Sequence, residues 1–269
     1  MWGLFGFFMV VVGLIGGSGV YSVEMLSGVR QEKVFTPFGS PSSLLTVGEF
    51  GGRRVVFLPR HGAGHSIPPH MINYRANVWA LRELGVTRVL APSAVGSLRD
   101  EFRPGEIVLP DQFIDRTWGR PNTFYDGGRV AHISMADPFC PELMDVVYDV
   151  AVSLGLPVHR GGTYVCIQGP RFSTRAESKM FRMWGGDIIG MTLVPEVSLA
   201  REAGMCYLTI AMVTDYDCWK EGWRVTAEEV VRTMASNVEK VQKLLAKAIP
   251  AIPETRGCRC GEYISEALL

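Results

Sequence analysis

Two carboxylates, Asp215 and Asp217, are separated by a single residue and follow a strongly apolar run of the chain. Residues two apart at a strand end can face the same edge of a ligand. Adenine has a suitable edge, because its N6 amino group donates to a carboxylate while N7 accepts from a protonated one. Neighbouring acids in a partly apolar pocket raise each other's pKa, so one could hold that proton near neutral pH. An Asx turn or a helix cap is the plainer interpretation.

Three segments at predicted strand ends could bind an anion. They are Gly-Gly-Ser-Gly at 16–19, Pro-Arg-His-Gly at 59–62 and Pro-Ser-Ala-Val-Gly-Ser at 92–97. Closely spaced glycines let backbone N–H groups turn around an oxyanion, and Arg60 is a natural bidentate partner for phosphate. Each segment alone could be an ordinary turn. Together they predict a phosphate site.

Two more strand-to-helix turns carry candidate ligand contacts. The turn at 168–174 presents Phe172, an aromatic side chain that could cover a ribose and a base. The turn at 191–196 offers the Thr192 hydroxyl for phosphate and the Glu196 carboxylate near a helix start. A core methionine at Met191 and an ordinary first-turn glutamate are the alternatives there.

Charge and hydropathy favour a small-molecule partner. Lys plus Arg equals Asp plus Glu at 27 each among 269 residues, so no net field attracts nucleic acid or an anionic membrane. The apolar opening at 4–15 has no preceding basic residue and is shorter than the roughly 20 residues that span a bilayer. We interpret its end as a buried strand entering a loop, and expect no membrane or nucleic-acid partner.

Six cysteines, at 140, 166, 206, 218, 258 and 260, do not follow the C-x-x-C spacing of metal sites. We therefore expect no metal site. The Cys258-Arg259-Cys260 pair could be redox-active or bridged, or it could be two exposed thiols in a tail.

Short apolar runs alternate with helical patterns along the chain, which indicates one α/β domain at 1–255 followed by a tail at 256–269 that contains Cys-x-Cys. Gly51-Gly52 suggests a hairpin, so the sheet should be mixed. The predicted strands are 10–15, 44–50, 55–58, 87–91, 107–109, 163–168, 187–190 and 206–213. The predicted helices are 72–84, 141–154, 175–184, 194–203 and 227–247.

Taken in order over nearly the whole chain, these motifs closely resemble the family of purine nucleoside phosphorylases and methylthioadenosine phosphorylases. They include Asn-Tyr-Arg-Ala-Asn at 73–77, Gly-Pro-Arg-Phe at 169–172, Met-Thr-Leu-Val-Pro-Glu at 191–196 and Asp-Tyr-Asp-Cys-Trp at 215–219. The resemblance implies a three-layer α/β/α sandwich around a central mixed, barrel-like sheet. It also implies a homotrimer or a dimer of trimers. The acidic run is typical of adenine-recognising members, whereas an Asn there marks 6-oxopurine specificity.

Roles follow from the resemblance by matching motif. Asp215 would support protonation of N7 and Asp217 would accept from the N6 amino group. The other implied contacts are phosphate at Ser18, Arg60, His61, Ser93, Ala94 and Thr192, ribose and base at Phe172 and Met191, and the 5′ substituent at Val230, Val231 and His132 of a neighbouring subunit. Ser18 and Ser93 replace common threonines, and Gly190 stands where a polar residue occurs in some members.

The implied reaction is phosphorolysis of methylthioadenosine, with adenosine as a possible second substrate, in purine and methionine salvage. Phosphate is the co-substrate, and we expect no metal or organic cofactor and a cytoplasmic location. The tail resembles heat-stable members, which implies a Cys140–Cys206 bridge. A 6-oxopurine phosphorylase, a nucleoside hydrolase and a non-catalytic nucleoside-binding module remain as alternatives.

Overall fold

The computed structural model describes residues 10–17, 25–222 and 226–269, without the side chains of residues 227, 229 and 230. In this part of the chain, eleven strands form one mixed sheet with helices packed around it, as predicted. The strands are β1 (Val11–Gly16), β2 (Ser27–Glu32), β3 (Leu45–Phe50), β4 (Arg53–Pro59), β5 (Arg88–Ser97), β6 (Ile107–Leu109), β7 (Gln112–Arg116), β8 (Val158–Arg160), β9 (Thr163–Ile167), β10 (Ile188–Gly190) and β11 (Cys206–Asp215). The helices are α1 (Tyr74–Glu83), α2 (Pro141–Ser153), α3 (Arg175–Met183), α4 (Leu193–Glu202), α5 (Ala227–Ala251) and α6 (Tyr263–Ala267).

The long strand β5 is the branch point of the sheet. Its first residues pair with β1 in parallel, and its last residues pair with β10 in the antiparallel direction. Along its other edge β11 runs parallel to it, and β11 continues the sheet to β6 and β8. The carboxyl ends of β5 and β11 therefore meet in the middle of the molecule, where a doubly covered sheet binds ligands.

Residues 92–97 differ from the prediction, because they are strand and not loop. Pairing with β11 carries β5 through Ser93, which lies opposite Ala211, and Ala94, which lies opposite Met212. The small residues and the proline of this segment have low strand propensity, so the sequence did not predict a strand here. Its stability comes from pairing with the distant strand β11.

Three strands and one helix were not predicted. β2 is almost fully exposed, and its residues Ser-Gly-Val-Arg-Gln-Glu lack an apolar alternation, so pairing to β3 alone defines it. β7 is largely polar, β8 has three residues, and α6 lies in the tail. The tail packs on the body: Cys260 is buried, and Arg256 donates to the carbonyl of Gly204 at 2.8 Å.

Side-chain caps fix the helices beside the sheet ends. Asn73 accepts from the Ala76 N–H at the start of α1, and Thr174 and Glu177 form a reciprocal capping box at the start of α3. In the described residues no helix is long and apolar enough to cross a membrane. The predicted strand at 10–15 is β1, whereas residues 4–9 of the apolar opening lie outside the described residues.

Candidate active site

A cavity of about 760 Å³ opens at the carboxyl ends of β5, β10 and β11. This volume suits a small ligand. Ten residues that the sequence singled out line it: Arg60, His61, Ser93, Ala94, Phe172, Met191, Thr192, Asp215, Asp217 and Val231. These residues come from six separate stretches of the chain, of which five follow predicted strands and the sixth, Val231, was implied by the resemblance.

Three predicted residues are not placed in this cavity. Ser18 lies outside the described residues, and so does the side chain of Val230. His132 is exposed, and its backbone N–H donates to the carbonyl of Ala267 at 2.9 Å, away from the cavity of its own chain. Its contribution to a neighbouring subunit stays a prediction.

Asp215 ends β11, and both of its carboxyl oxygens have hydrogen-bond partners. One oxygen, Oδ1, accepts the backbone N–H of Asp217 at 2.8 Å, and Oδ2 accepts the Thr214 hydroxyl at 2.7 Å. The first contact is the Asx turn that we considered as the alternative interpretation. Turn and site coexist here, because the turn orients a carboxylate that lines the cavity.

Asp217 is buried and adopts φ of 47°, a left-handed conformation that aspartate tolerates better than most residues. Its Oδ2 has no hydrogen-bond partner in the described residues. Burial raises the pKa of Asp217, hydrogen bonding to Ser178 opposes the rise, and the nearby Asp215 charge adds to it. A buried carboxyl whose Oδ2 has no partner in the described residues is a candidate for contact with a ligand.

Arg60 is locked in a buried ion pair with Glu196. Its Nε and Nη2 donate to the two carboxylate oxygens at 2.7 and 2.8 Å, and the Tyr207 hydroxyl donates to the same carboxylate at 2.8 Å. Burial opposes the charge of Arg60, but Glu196 outweighs burial and raises the Arg60 pKa. Glu196 thus occupies the Nε and Nη2 side of the guanidinium, which leaves only Nη1 for the predicted contact with phosphate.

Arg60 can still offer an anion one N–H group of Nη1. This nitrogen donates one long bond of 3.3 Å to the carbonyl of Pro92, while Nη2 also donates to the carbonyl of Ile15 at 3.1 Å. In the described residues a second Nη1 hydrogen is therefore available at the cavity wall. Glu196 fixes this donor in place.

His61 is neutral in this site. Its Nδ1 lies 2.9 Å from the carbonyl of Ile67, so that nitrogen carries the hydrogen, because a carbonyl only accepts. The ring stacks on His65 at 4.0 Å. Burial, and then the charge of Arg60, lower the pKa of His61 to about 4.

Two hydroxyls complete the anion-binding face. Ser93 Oγ is buried without a hydrogen-bond partner in the described residues. Thr192 directly precedes α4, and its hydroxyl makes no capping hydrogen bond to that helix. Val194, in the first turn of α4, has non-helical angles of φ −106° and ψ 131°, so the Thr192 hydroxyl, and not a regular helix N-terminus, is the donor offered here.

The base-facing wall is apolar and has one tight glycine. A Cβ on Gly190 would lie 1.9 Å from the Tyr164 hydroxyl, so Tyr164 fills the place of a side chain there. This explains the departure from the family pattern at Gly190. Phe172 is about half exposed at the cavity mouth, with Met191, Ile189, Met234 and Val238 along the wall.

The four cysteines 140, 206, 258 and 260 converge, although the sequence spacing did not suggest it. All six thiols are free, so the implied Cys140–Cys206 bridge is absent from the structure. The Sγ atom of Cys258 lies 3.3 Å from that of Cys206 and 3.6 Å from that of Cys140. All four Sγ atoms lie within 4.8 Å of one another, a ligand set that could hold a metal ion. The absence of C-x-x-C was therefore not a sufficient reason to exclude one.

Comparison with known proteins agrees with the fold and the cavity. The family model described as Phosphorylase superfamily matches residues 11–250, and the chain belongs to this family. The chain is 60% identical over 260 residues to an S-methyl-5′-thioadenosine phosphorylase from Thermofilum pendens, covering 97% of this chain and 99% of the relative. It is 55% identical over 258 residues to one from Nitrosopumilus maritimus, covering 96% and 98%.

Solved structures give the same result in three dimensions. A methylthioadenosine phosphorylase sourced from an Antarctic soil metagenomic library has a TM-score of 0.92 at 42% identity, covering 97% of this chain and 93% of the other. The enzyme from Schistosoma mansoni in complex with adenine has a TM-score of 0.89 at 42% identity, covering 96% and 99%.

Proposed function

We propose that this chain cleaves S-methyl-5′-thioadenosine with inorganic phosphate, releasing adenine and 5-methylthioribose 1-phosphate. The observation that carries the proposal is one cavity with two opposed chemistries. The acids Asp215 and Asp217 line the same cavity as Arg60, Ser93 and Thr192, which offer donors for an anion. The names and bound ligands of the relatives support the same reaction.

The geometry suits the charges of this reaction. As the glycosidic bond stretches, the ribose becomes cationic and the leaving adenine becomes anionic. Phosphate held beneath the sugar stabilises the first charge and attacks C1′, while a proton from the acidic pair neutralises the second. Burial and the Asp215 charge both raise the pKa of Asp217, which favours a proton shared between the two acids. In our assignment Asp215 faces N7 and Asp217 faces the N6 amino group.

The reaction as proposed uses phosphate as co-substrate and no metal or organic cofactor. The Arg60 cation and the hydroxyls of Ser93 and Thr192 supply the electrostatic stabilisation. We place the enzyme in the cytoplasm, in purine and methionine salvage.

The 5′ group would lie against an apolar wall. Val231, Met234 and Val238 line the cavity on α5, and burying a methylthio group there is favourable. Because such a contact is worth only about 1 to 3 kcal/mol, adenosine should be a slower second substrate.

We further propose a homotrimer, or a dimer of trimers, in which His132 reaches the 5′ pocket of a neighbour. The exposure of His132 and its position outside its own cavity support this arrangement. We also propose that Cys140 and Cys206 form a bridge on oxidation and that the protein is heat-stable. The Sγ atoms of Cys140 and Cys206 lie within 4.8 Å of each other, which supports the bridge.

Adenine release with and without phosphate tests the proposed function. We expect release from methylthioadenosine only with phosphate, and faster than from adenosine or inosine. Release without phosphate would indicate a hydrolase, faster turnover of inosine a 6-oxopurine phosphorylase, and binding without release a non-catalytic module.

A further inference from the structure

Arg120 lies in the loop between β7 and α2, and its buried guanidinium reaches two other loops of the molecule. Its Nη1 donates to the backbone carbonyls of Met191 at 2.9 Å and Val194 at 2.5 Å. Its Nη2 donates to the backbone carbonyl of Gln168 at 2.7 Å. One side chain thereby joins the end of β9 to the end of β10.

The held carbonyls flank residues that face the cavity. Nη1 holds the carbonyls of Met191 and Val194, and Thr192 lies between these two residues in the chain. Phe172 follows Gln168 in the same turn, and all three side chains line the cavity. Hydrogen bonds to these carbonyls fix the backbone that carries the ligand-facing side chains, and so fix the positions of those side chains.

The contacts require an arginine in particular. Nε also donates to the side-chain oxygen of Gln168 at 3.1 Å, and Nη1 reaches the Tyr74 hydroxyl at 3.3 Å. In the described part of the chain, every hydrogen-bond acceptor of Arg120 is uncharged. A planar fork with five donors can span acceptors in several directions, whereas a lysine ammonium is a compact point charge.

We propose that Arg120 is a positioning residue for the phosphorolysis assigned above. It sets Met191 and Thr192 relative to Phe172, and so aligns the nucleoside with the phosphate, without lining the cavity itself. This inference rests on the proposed function, because the aligned groups matter only if both substrates bind here.

The test compares Arg120→Ala and Arg120→Lys with Arg53→Ala as a matched control. Arg53 is also largely buried and donates to a backbone carbonyl, that of Ile252 at 3.0 Å, but it does not line or brace the cavity. We expect both Arg120 variants to lose at least about tenfold in kcat/KM for methylthioadenosine, the scale of a small misalignment of reacting groups. Guanidinium ion at low millimolar concentration should restore part of the Arg120→Ala activity and none in Arg53→Ala.

Three results would overturn the proposal: wild-type kcat/KM in Arg120→Lys, an equal loss in Arg53→Ala, or a folded Arg120→Ala that guanidinium does not improve. If Arg120→Ala does not fold, Arg120→Lys decides alone, with higher KM for both phosphate and nucleoside expected and unchanged KM values contradicting the proposal. If the wild-type protein releases no adenine, the proposed function fails instead. Weaker phosphate and adenine binding to Arg120→Lys, measured by calorimetry, would then support the positioning role, and unchanged binding would overturn it.

Discussion

Glu196 holds Arg60 with two hydrogen bonds, of 2.7 and 2.8 Å, and both side chains are at most 2% exposed. Both carboxylate oxygens are committed to the arginine, and Tyr207 adds a third hydrogen bond to one of them. The buried carboxylate offsets the cost of burying the Arg60 cation. The anion-binding face therefore depends on a residue that does not line the cavity.

Glu196→Gln should impair phosphate binding and stability together. The amide keeps the shape but removes the charge, which leaves Arg60 buried without its counter-ion and costs about 3 to 5 kcal/mol of unfolding free energy. We expect a higher phosphate KM and a lower melting temperature. The double variant Arg60→Met with Glu196→Leu should recover stability without recovering phosphate binding. A phosphate KM unchanged in Glu196→Gln would contradict this account.

Replacing each of the two acids by asparagine should change different kinetic constants. Asp215→Asn can still donate to N7 but has no proton to give, so we expect kcat to fall by about 100-fold. Asp217→Asn would turn an amide N–H toward the N6 amino group, raise the nucleoside KM and improve inosine relative to methylthioadenosine. Steady-state kinetics with both nucleosides distinguishes the two outcomes. Identical effects of the two substitutions would argue against separate roles.

His61 should make the protein less stable in mild acid. Its pKa is lowered from 6.5 to about 4 in the folded protein, so the unfolded chain binds more protons between these values. The stabilising effect of neutral His61 is complete above pH 6.5 and is lost as the pH falls toward 4. The melting temperature of His61→Gln should therefore fall less than that of the wild type over this range. Parallel curves for the two proteins would contradict the buried neutral ring.

The 5′ wall can be tested through substrate preference. Met234→Gln places an amide against the position of the methylthio group, while Val238 and Val231 keep the rest of the wall. We expect the ratio of kcat/KM for methylthioadenosine to that for adenosine to fall by roughly tenfold, within the range of one apolar contact. An unchanged ratio would place the 5′ group elsewhere.

The cysteine cluster calls for a peptide map of natively isolated, alkylated protein. We expect a Cys140–Cys206 link, with Cys166 and Cys218 as internal controls that stay free, and a stabilisation of about 4 kcal/mol over the reduced form. A Cys206–Cys258 link, or one bound zinc per chain with four protected thiols, would contradict the proposed bridge.

Much of the site could be predicted because the ends of buried strands can be recognised in the sequence. Apolar runs at 55–58, 187–190 and 206–213 predicted β4, β10 and β11, and the polar residue types after them indicated the ligand. The resemblance then assigned roles that residue types alone left open, such as the difference between Asp215 and Asp217.

What sequence did not predict depends on long-range contacts. Glu196 looked like an ordinary first-turn glutamate, and only its burial beside Arg60 gives it a function. Arg120 belongs to no motif, because its acceptors are backbone carbonyls of distant loops. The four cysteines meet only after α2, β11 and the tail have packed.

The most direct test of the central claim is the stoichiometry of the reaction. Adenine formed from methylthioadenosine and inorganic phosphate consumed are measured in the same sample, with 5-methylthioribose 1-phosphate identified by phosphorus NMR. We predict one phosphate consumed and one sugar phosphate formed for each adenine released. Adenine release with no loss of inorganic phosphate would contradict the account.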